Sequence, residues 1–516
     1  MTDHSPRVAV SARPAPGADA GLARNALSLV ELMFTALATL APLTLVVAVM
    51  PLHFFVGGEA VPGGYLVAAA VMALFAVGLT TMMRYVRNTG AFYAIITRGL
   101  GREAGSAAAL LAVIAYNALQ VSTYGALGLY AGDTVGRFFG ISAPWWVYAA
   151  VALAAVAYLG YRGITTSAKV LSVVLMCELI VLVILGIAVV ASGGHAGFSA
   201  EPVAPSVVLT FENGAMFGLI FGAFMGFEST VIYSEEVKGG ARTVRRATYA
   251  VVAFIGVFYA VMAYIVVTAY GIDLIAGAAS EDPAGLVLVL FEQYTPGWLV
   301  DVTVVLLLLS AFAALLALHN ASNRYLYALG REGLIPQRFG TVHPVTRSPW
   351  IAGLAQSVFA AVVLVLCVAL DIDPYLGLLL WGSALGFLGI IALWALCSLA
   401  VVVYLRRNHR EAGMWRTTIA PLLSFLALTA ILVLVVANFD LFSGGAPLVN
   451  EVLVGLAVVA VVGGVVRALY LRVRAPERYT RLGSVNVAEC EPDPEPDSQG
   501  EDQGEGAAAA PNASTP

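Results

Sequence analysis

The sequence predicts an all-α polytopic membrane protein with twelve transmembrane helices, and three observations carry that reading. The chain is 60% hydrophobic and 11% charged, with a mean hydropathy of +0.87. Many apolar runs reach the roughly 20 residues that a spanning helix needs. They lie near 28–50, 63–83, 104–131, 145–160, 166–191, 213–235, 246–270, 298–326, 350–370, 376–404, 417–438 and 448–471. With the N-terminus placed in the cytoplasm, 26 of the 27 Lys and Arg residues fall on the cytoplasmic side, and Arg137 alone falls outside. Such a distribution obeys the positive-inside rule, and one helix more or fewer would scramble every later loop. The expected location is the cell membrane, multi-pass in the lipid bilayer, with both termini cytoplasmic.

The ends differ from the body. Residues 1–24 are polar, lack a compact apolar segment before a cleavage site, and are expected to form a disordered cytoplasmic lead. Residues 482–516 hold eight acidic residues and no basic one, so removing them changes the net charge from −5 to +3 (27 basic against 24 acidic). This segment reads as a disordered acidic tail. The membrane-spanning body is therefore expected at 25–475. Of the four cysteines, Cys177, Cys367 and Cys397 lie in apolar runs and Cys490 in the tail, with no metal-ligand spacing and no disulfide framework.

Span 1, SLVELMFTALATLAPLTLVVAVM, carries Pro42 at its middle, with Thr35, Thr39 and Thr44 around it. Proline removes an amide donor and clashes with the preceding turn, so the helix kinks or breaks there. Span 6 is the other punctuated helix. Its stretch FENGAMFGLIFGAFMGFESTVIYSEE places Gly214, Gly218, Gly222 and Gly226 at four-residue intervals, with Phe217, Phe221, Phe224 and Phe227 between them. Two readings remain open for these glycines: a close helix-packing face, or a break near Phe221–Gly226 that frees backbone groups. Spans 1 and 6 lie five spans apart. Two five-helix halves of opposite orientation, about 28–191 and 213–404, are thus expected to form an inverted repeat with interrupted helices 1 and 6. Paired broken helices of this kind point to a substrate site at mid-membrane.

In span 3, Asn117, Gln120 and Tyr124 share one helical face near Tyr116, either as ligand contacts or as interhelical hydrogen bonds. Span 5 buries Glu178 in an otherwise apolar stretch. An intramembrane carboxylate marks a functional site by default, and Glu178 is a candidate proton carrier; the alternative is a neutral structural acid. Span 8 contributes Ser310 at mid-depth and His319 nearer the cytoplasm, the latter read as packing. Spans 11 and 12, about 417–471, hold no deep acidic residue and are expected to be two peripheral helices. There is no phosphate-binding GxxxxGK[ST] loop, no HExxH site and no nucleophile–base pair in the membrane, so no ATPase, metalloenzyme, other enzyme activity or cofactor is expected. The dispersed loop cations are no nucleic-acid signal.

Three segments together resemble amino acid permeases of the amino acid–polyamine–organocation superfamily, over roughly residues 24–475. They are RNTGAFYAIITRGLGREAG after span 2, GFESTVIYSEEVKGGARTVRRA in and after span 6, and HNASNRYLYALGREGLIPQRF at the end of span 8. The resemblance implies a five-plus-five inverted repeat whose broken helices 1 and 6 hold an amino acid head group. Amides near Thr39, Ala41, Pro42 and Thr44 would take its carboxylate; carbonyls near Phe221, Gly222, Phe224 and Gly226 would take its ammonium, with Phe224 or Phe227 as a gate. The sequence departs from the family where helix 1 has Ala-Thr-Leu-Ala-Pro in place of glycines, and where Glu178 stands near a position that is lysine in some proton-coupled members.

The expected activity is secondary transport of an amino acid or related amine, by proton-coupled symport and alternating access. Asn117, Gln120 and Tyr124 would shape the pocket, and Glu178 with Ser310 would couple the ion. The alternatives are an exchanger without ion coupling and a permease-like amino acid sensor. Few fixed charges besides Glu178 and Glu228 favour a neutral substrate.

Overall fold

A computed structural model describes residues 28–85, 91–162, 168–195, 197–228, 230, 237–238, 240–344, 346, 348–409, 413–444 and 447–483. The expected lead 1–24 and positions 484–516 of the expected tail lie outside these residues.

The first expected span divides in two. Helix α1 (Leu29–Leu40) stops where Ala41 adopts a left-handed conformation (φ 46°, ψ 70°), and α2 (Pro42–Thr44) restarts with proline in its first turn. A left-handed non-glycine residue costs on the order of 1–3 kcal/mol and persists only where its surroundings fix it. Proline has no N–H with which to continue the α1 ladder. A wide π-type turn at Leu45–Val49 leads into α3 (Met50–Gly57). Gly58 (φ 50°, ψ −132°) then separates α3 from α4 (Val61–Met82). The run Pro42–Met82 has 41 residues. At about 1.5 Å per residue it is roughly twice the ~30 Å thickness of a bilayer core, so a break within it is required.

The following helices are α5 (Ala91–Leu100), α6 (Arg102–Phe139), α7 (Trp145–Tyr161), α8 (Ala168–Ser192), the short α9 (Pro205–Val208) and α10 (Gly214–Gly222). The sixth expected span ends early. After α10 the chain tightens: Phe224 N–H donates to Phe221 O at 3.0 Å and Met225 N–H to Gly222 O at 3.0 Å. Gly226 then takes φ 108°, a conformation that side-chain-bearing residues rarely adopt. Glu235 and Glu236 lie outside the described residues.

The second half continues with α11 (Gly240–Tyr270), α12 (Ile275–Glu281), α13 (Leu286–Tyr294), α14 (Gly297–Glu332), α15 (Trp350–Ala369) and α16 (Leu380–Asn408). Then come α17 (Ala420–Ala437), the short α18 (Phe439–Phe442), α19 (Pro447–Arg474) and α20 (Pro476–Arg481). Among the described residues, nine helices are long and apolar enough to cross a membrane, which makes this a multi-pass membrane protein. The expected twelve differ at three places. Spans 1 and 2 share one run, α7 is apolar but only 17 residues long, and span 6 is broken after Gly222.

Helix α6 is the spine, with α5, α7, α14, α16 and α19 packed along it. Beside it, α4 runs against α11 and α17, while α1 lies on α8 and α11. The restarted segment α2 sits between α8 and α14, which brings Pro42–Thr44 to the centre of the bundle. The glycines of α10 serve packing. A Cβ on Gly222 would sit 2.4 Å from the Phe387 ring, and one on Gly218 would meet Val435 and Phe442 at 2.7 and 2.8 Å. Of the two readings of this stripe, packing holds for Gly218 and Gly222 and the break for Gly226.

Candidate functional site

At the first break, the left-handed Ala41 leaves the N–H groups at the start of the restarted helix without intrahelical acceptors. Such amides favour an anion. An internal carboxyl group takes that place: Glu178 of α8 is 3% exposed, and its Oε2 accepts the Leu43 N–H at 3.1 Å. The Ser310 side chain of α14 lies beside the same carboxylate, and Tyr259 of α11 lies within its electrostatic reach. The hydroxyls of Thr44 and Tyr259 are buried without a hydrogen-bond partner among the described residues. Leaving a buried polar group unpaired costs about 1–3 kcal/mol, so this arrangement stabilises a polar guest. Two tyrosines extend it: the Tyr259 ring lies 5.7 Å from the Tyr65 ring, and the Tyr65 hydroxyl is 2.9 Å from Nδ1 of the fully buried His53. The Thr39 side chain lies outside the described residues.

The second break has its own carboxylate. Glu228 is 3% exposed, takes the Gly226 N–H on Oε2 at 2.7 Å and the Tyr116 hydroxyl on Oε1 at 3.0 Å. The Phe221 and Gly222 carbonyls, expected to be free, accept the tightened-turn bonds described above. Phe221, Phe224 and Phe227 are fully buried. Phe227 packs edge-on to Phe75 at 5.9 Å and lies 5.8 Å from Trp394.

The face Asn117–Gln120–Tyr124 does not open onto either break. The Asn117 amide donates to the Val113 carbonyl of its own helix at 2.8 Å. Gln120 Nε2 lies 3.2 Å from His319 Nδ1 on α14, and Gln120 Oε1 accepts from Gln356 of α15. Tyr124 is buried in an apolar cluster with Ala149, Leu315 and Ala360. Of the two readings offered for this face, the interhelical one describes Gln120, and a carbonyl one turn back describes Asn117. The physical reason is reach. Tyr116, next to Asn117, points to Glu228, while Gln120 points to the opposite pair of helices.

The structure thus gathers Ala41, Pro42, Thr44, Glu178 and Ser310 in one place, and Gly226 with Glu228 in another. It adds Tyr116, Tyr65, Tyr259 and His53, which sequence reasoning left without a role. A histidine inside an apolar run was the available signal for His53. The tyrosines carry none, because buried tyrosines are common and their partners are remote.

Comparison with known proteins agrees with this architecture. A profile described as amino acid permease matches residues 27–466. An uncharacterized transporter of Mycobacterium tuberculosis is 29% identical over 230 residues, 44% of this chain and 49% of that one. The branched-chain amino acid permease BcaP of Bacillus subtilis is 26% identical over 231 residues, 44% of this chain and 46% of that one. The low-affinity putrescine importer PlaP of Escherichia coli is 24% identical over 336 residues, 63% of this chain and 71% of that one. The chain spans about half the length of the first two relatives. In fold, it is similar to a crystal structure of a mutant manganese transporter of Eremococcus coleocola, with a TM-score of 0.53 and 13% identity over 86% of this chain and 95% of that one. With its apolar helices, its two interrupted segments and a profile match from residue 27 to residue 466, the chain belongs to the amino acid permease family of membrane transporters.

Proposed function

We propose that this protein moves an amino acid or related amine across the cell membrane in symport with protons, by alternating access. Twelve spans in a five-plus-five inverted repeat, with cytoplasmic termini, are the framework of that reading; the loop charges support the orientation. The two relatives that are a branched-chain amino acid permease and a putrescine importer support the substrate class.

One observation carries the coupling: the Glu178 carboxylate occupies the Leu43 amide at the first break. The carboxylate of an incoming amino acid needs that same amide. Two anions cannot share it without repulsion, so substrate binding displaces Glu178 and leaves its carboxylate without its donor in a dry site. A proton then neutralises it, and proton and substrate load together. A hydrogen bond to a charged group contributes about 1.5–3 kcal/mol, and a coupling of that size is a roughly ten- to hundred-fold change in affinity. The substrate ammonium is taken by carbonyls of the second break, Phe221–Gly226, once the tightened-turn bonds on Phe221 and Gly222 open, and the buried Phe224 and Phe227 form the closed gate.

A second reading has its own observation. The buried hydroxyls of Ser310, beside Glu178, and of Thr44, next to Leu43 in the chain, are oxygen ligands of the kind a sodium ion uses. Uptake of labelled amino acids and amines into proteoliposomes separates the readings. An inward proton gradient without sodium drives accumulation if protons couple. A strict sodium requirement transfers the role to the oxygen cluster. Uptake that needs internal substrate and ignores both gradients makes the protein an exchanger, with Glu178 a structural cap.

A further inference from the structure

Away from both breaks, a cavity of about 130 Å³ lies among the end of α4, the start of α11 and the turn that leads into α17. Its lining is Val77, Thr80, Thr81, Arg84, Arg245, Tyr249 and Arg416. Three guanidinium groups thus converge from three separate elements, and Arg84 and Arg416 are close enough to Arg245 to repel it. Among the described residues no carboxylate lines the cavity, and none of these three guanidinium groups makes a hydrogen bond or ion pair. Arg416 also lies at the start of the continuous helical run Trp415–Ala437, the positive end of its backbone dipole, where a cation is disfavoured. Among the described residues, every charge that lines the space has one sign. The space holds about four times the ~30 Å³ share of a single water.

An arrangement of like charges that costs energy when empty is relieved by an anion. We infer that this cavity binds a phosphate group, with the planar donors of Arg84, Arg245 and Arg416 on its oxygens and the Tyr249 hydroxyl beside them. Guanidinium forks match phosphate oxygens in pairs, which a point charge does not. The Thr80 and Thr81 hydroxyls already donate to Ala76 and Val77 carbonyls, at 2.7 Å each, so they present their lone pairs and set the floor of the space. The three arginines belong to the set that the loop charges place on the cytoplasmic side. A lipid headgroup phosphate or a free phosphate supplies the same chemistry there. Because the ligand bridges α4, α11 and α17, its binding ties α17 to the α4–α11 pair.

The test uses the full-length purified protein in detergent. Its thermal unfolding is followed against dioleoyl phosphatidylglycerol, against inorganic phosphate and against sodium chloride at matched ionic strength. The inference expects a saturable rise in unfolding temperature with at least one of the two phosphates and none with chloride. A rise with the phospholipid alone assigns the site to a headgroup; a rise with inorganic phosphate as well assigns it to a free anion. Arg245→Gln should weaken the apparent affinity about ten-fold or more, and Arg245→Lys should recover part of it, since it restores charge without the fork. No saturable rise with either phosphate, or an equal rise with chloride, overturns the inference whether or not the variants fold. A saturable rise that Arg245→Gln and Arg416→Gln leave unchanged overturns the assignment to this cavity.

Discussion

Glu178 and Leu43 are 135 residues apart in sequence, yet the Glu178 carboxylate accepts the Leu43 N–H at 3.1 Å. The second break repeats the chemistry with a different connection, since Glu228 accepts the N–H of Gly226 only two residues away. The distinction has a mechanical consequence. A local cap travels with its own segment, so Glu228 keeps its bond when helices move. A remote cap reports the position of α8 against α2, so Glu178 loses its bond when those helices separate. In the proposed mechanism Glu228 accordingly has a structural role and Glu178 a switching one.

The structural role of Glu228 is measurable through its partner. Glu228→Gln and Tyr116→Phe should each lower the unfolding temperature in detergent. In a double-mutant cycle they should show a coupling of about 0.5–3 kcal/mol, as residues sharing a buried hydrogen bond do. Additive effects would mean that the Tyr116 bond contributes nothing to the fold.

Gly226 has φ 108°, so a side chain there is strained whatever the space around it. Gly226→Ala should cost about 1–3 kcal/mol and should reduce transport more than it reduces the amount of folded protein. Fluorescence-detected size-exclusion chromatography and uptake, read on the same sample, check this. Uptake per folded molecule equal to wild type would remove the break from the mechanism.

Gly222 tests the packing half of the same stripe. A Cβ there meets the Phe387 ring at 2.4 Å, so Gly222→Leu should overpack the contact between α10 and α16, at a cost of roughly 1–3 kcal/mol. Adding Phe387→Ala should recover part of the lost thermal stability. Failure of the second change to help would place the damage elsewhere.

The last described residues are anchored. Leu482 is 2% exposed, and the Gly483 N–H donates to Glu332 Oε2 at 2.9 Å and to the Tyr93 hydroxyl at 3.0 Å. Tyr93 also donates to Glu332. Ending the chain at Arg481 should leave Glu332 short of a donor and expose the apolar surface under Leu482. The expected outcome is a lower unfolding temperature, with at most a small effect from ending it at residue 488. Equal stability of both truncations would show that this anchor contributes nothing.

The parts legible in the sequence were those set by local chemistry. Pro42 and Gly226 announce breaks because proline lacks a donor and glycine tolerates positive φ, and neither needs a distant partner. Glu178 stands out because a carboxylate in an apolar run is costly. The ends of α7, α8, α11, α15 and α17 fall within six residues of the expected limits, since spans end where polar residues begin. What depends on remote pairing was not legible. Gln120 looked equally like a ligand group and like glue until His319 and Gln356 were in place. The Ala41 conformation was hidden because alanine gives no hint of a left-handed turn.

The central claim is that Glu178 trades its amide for a proton when substrate arrives. Accumulation of substrate in proteoliposomes under an inward proton gradient, with wild type beside Glu178→Gln, tests it most directly, with gradient-free exchange as the check that the variant is folded. Wild type should concentrate substrate, while Glu178→Gln should exchange it but bring it only to equilibrium. Gradient-driven accumulation by Glu178→Gln equal to wild type would contradict the account.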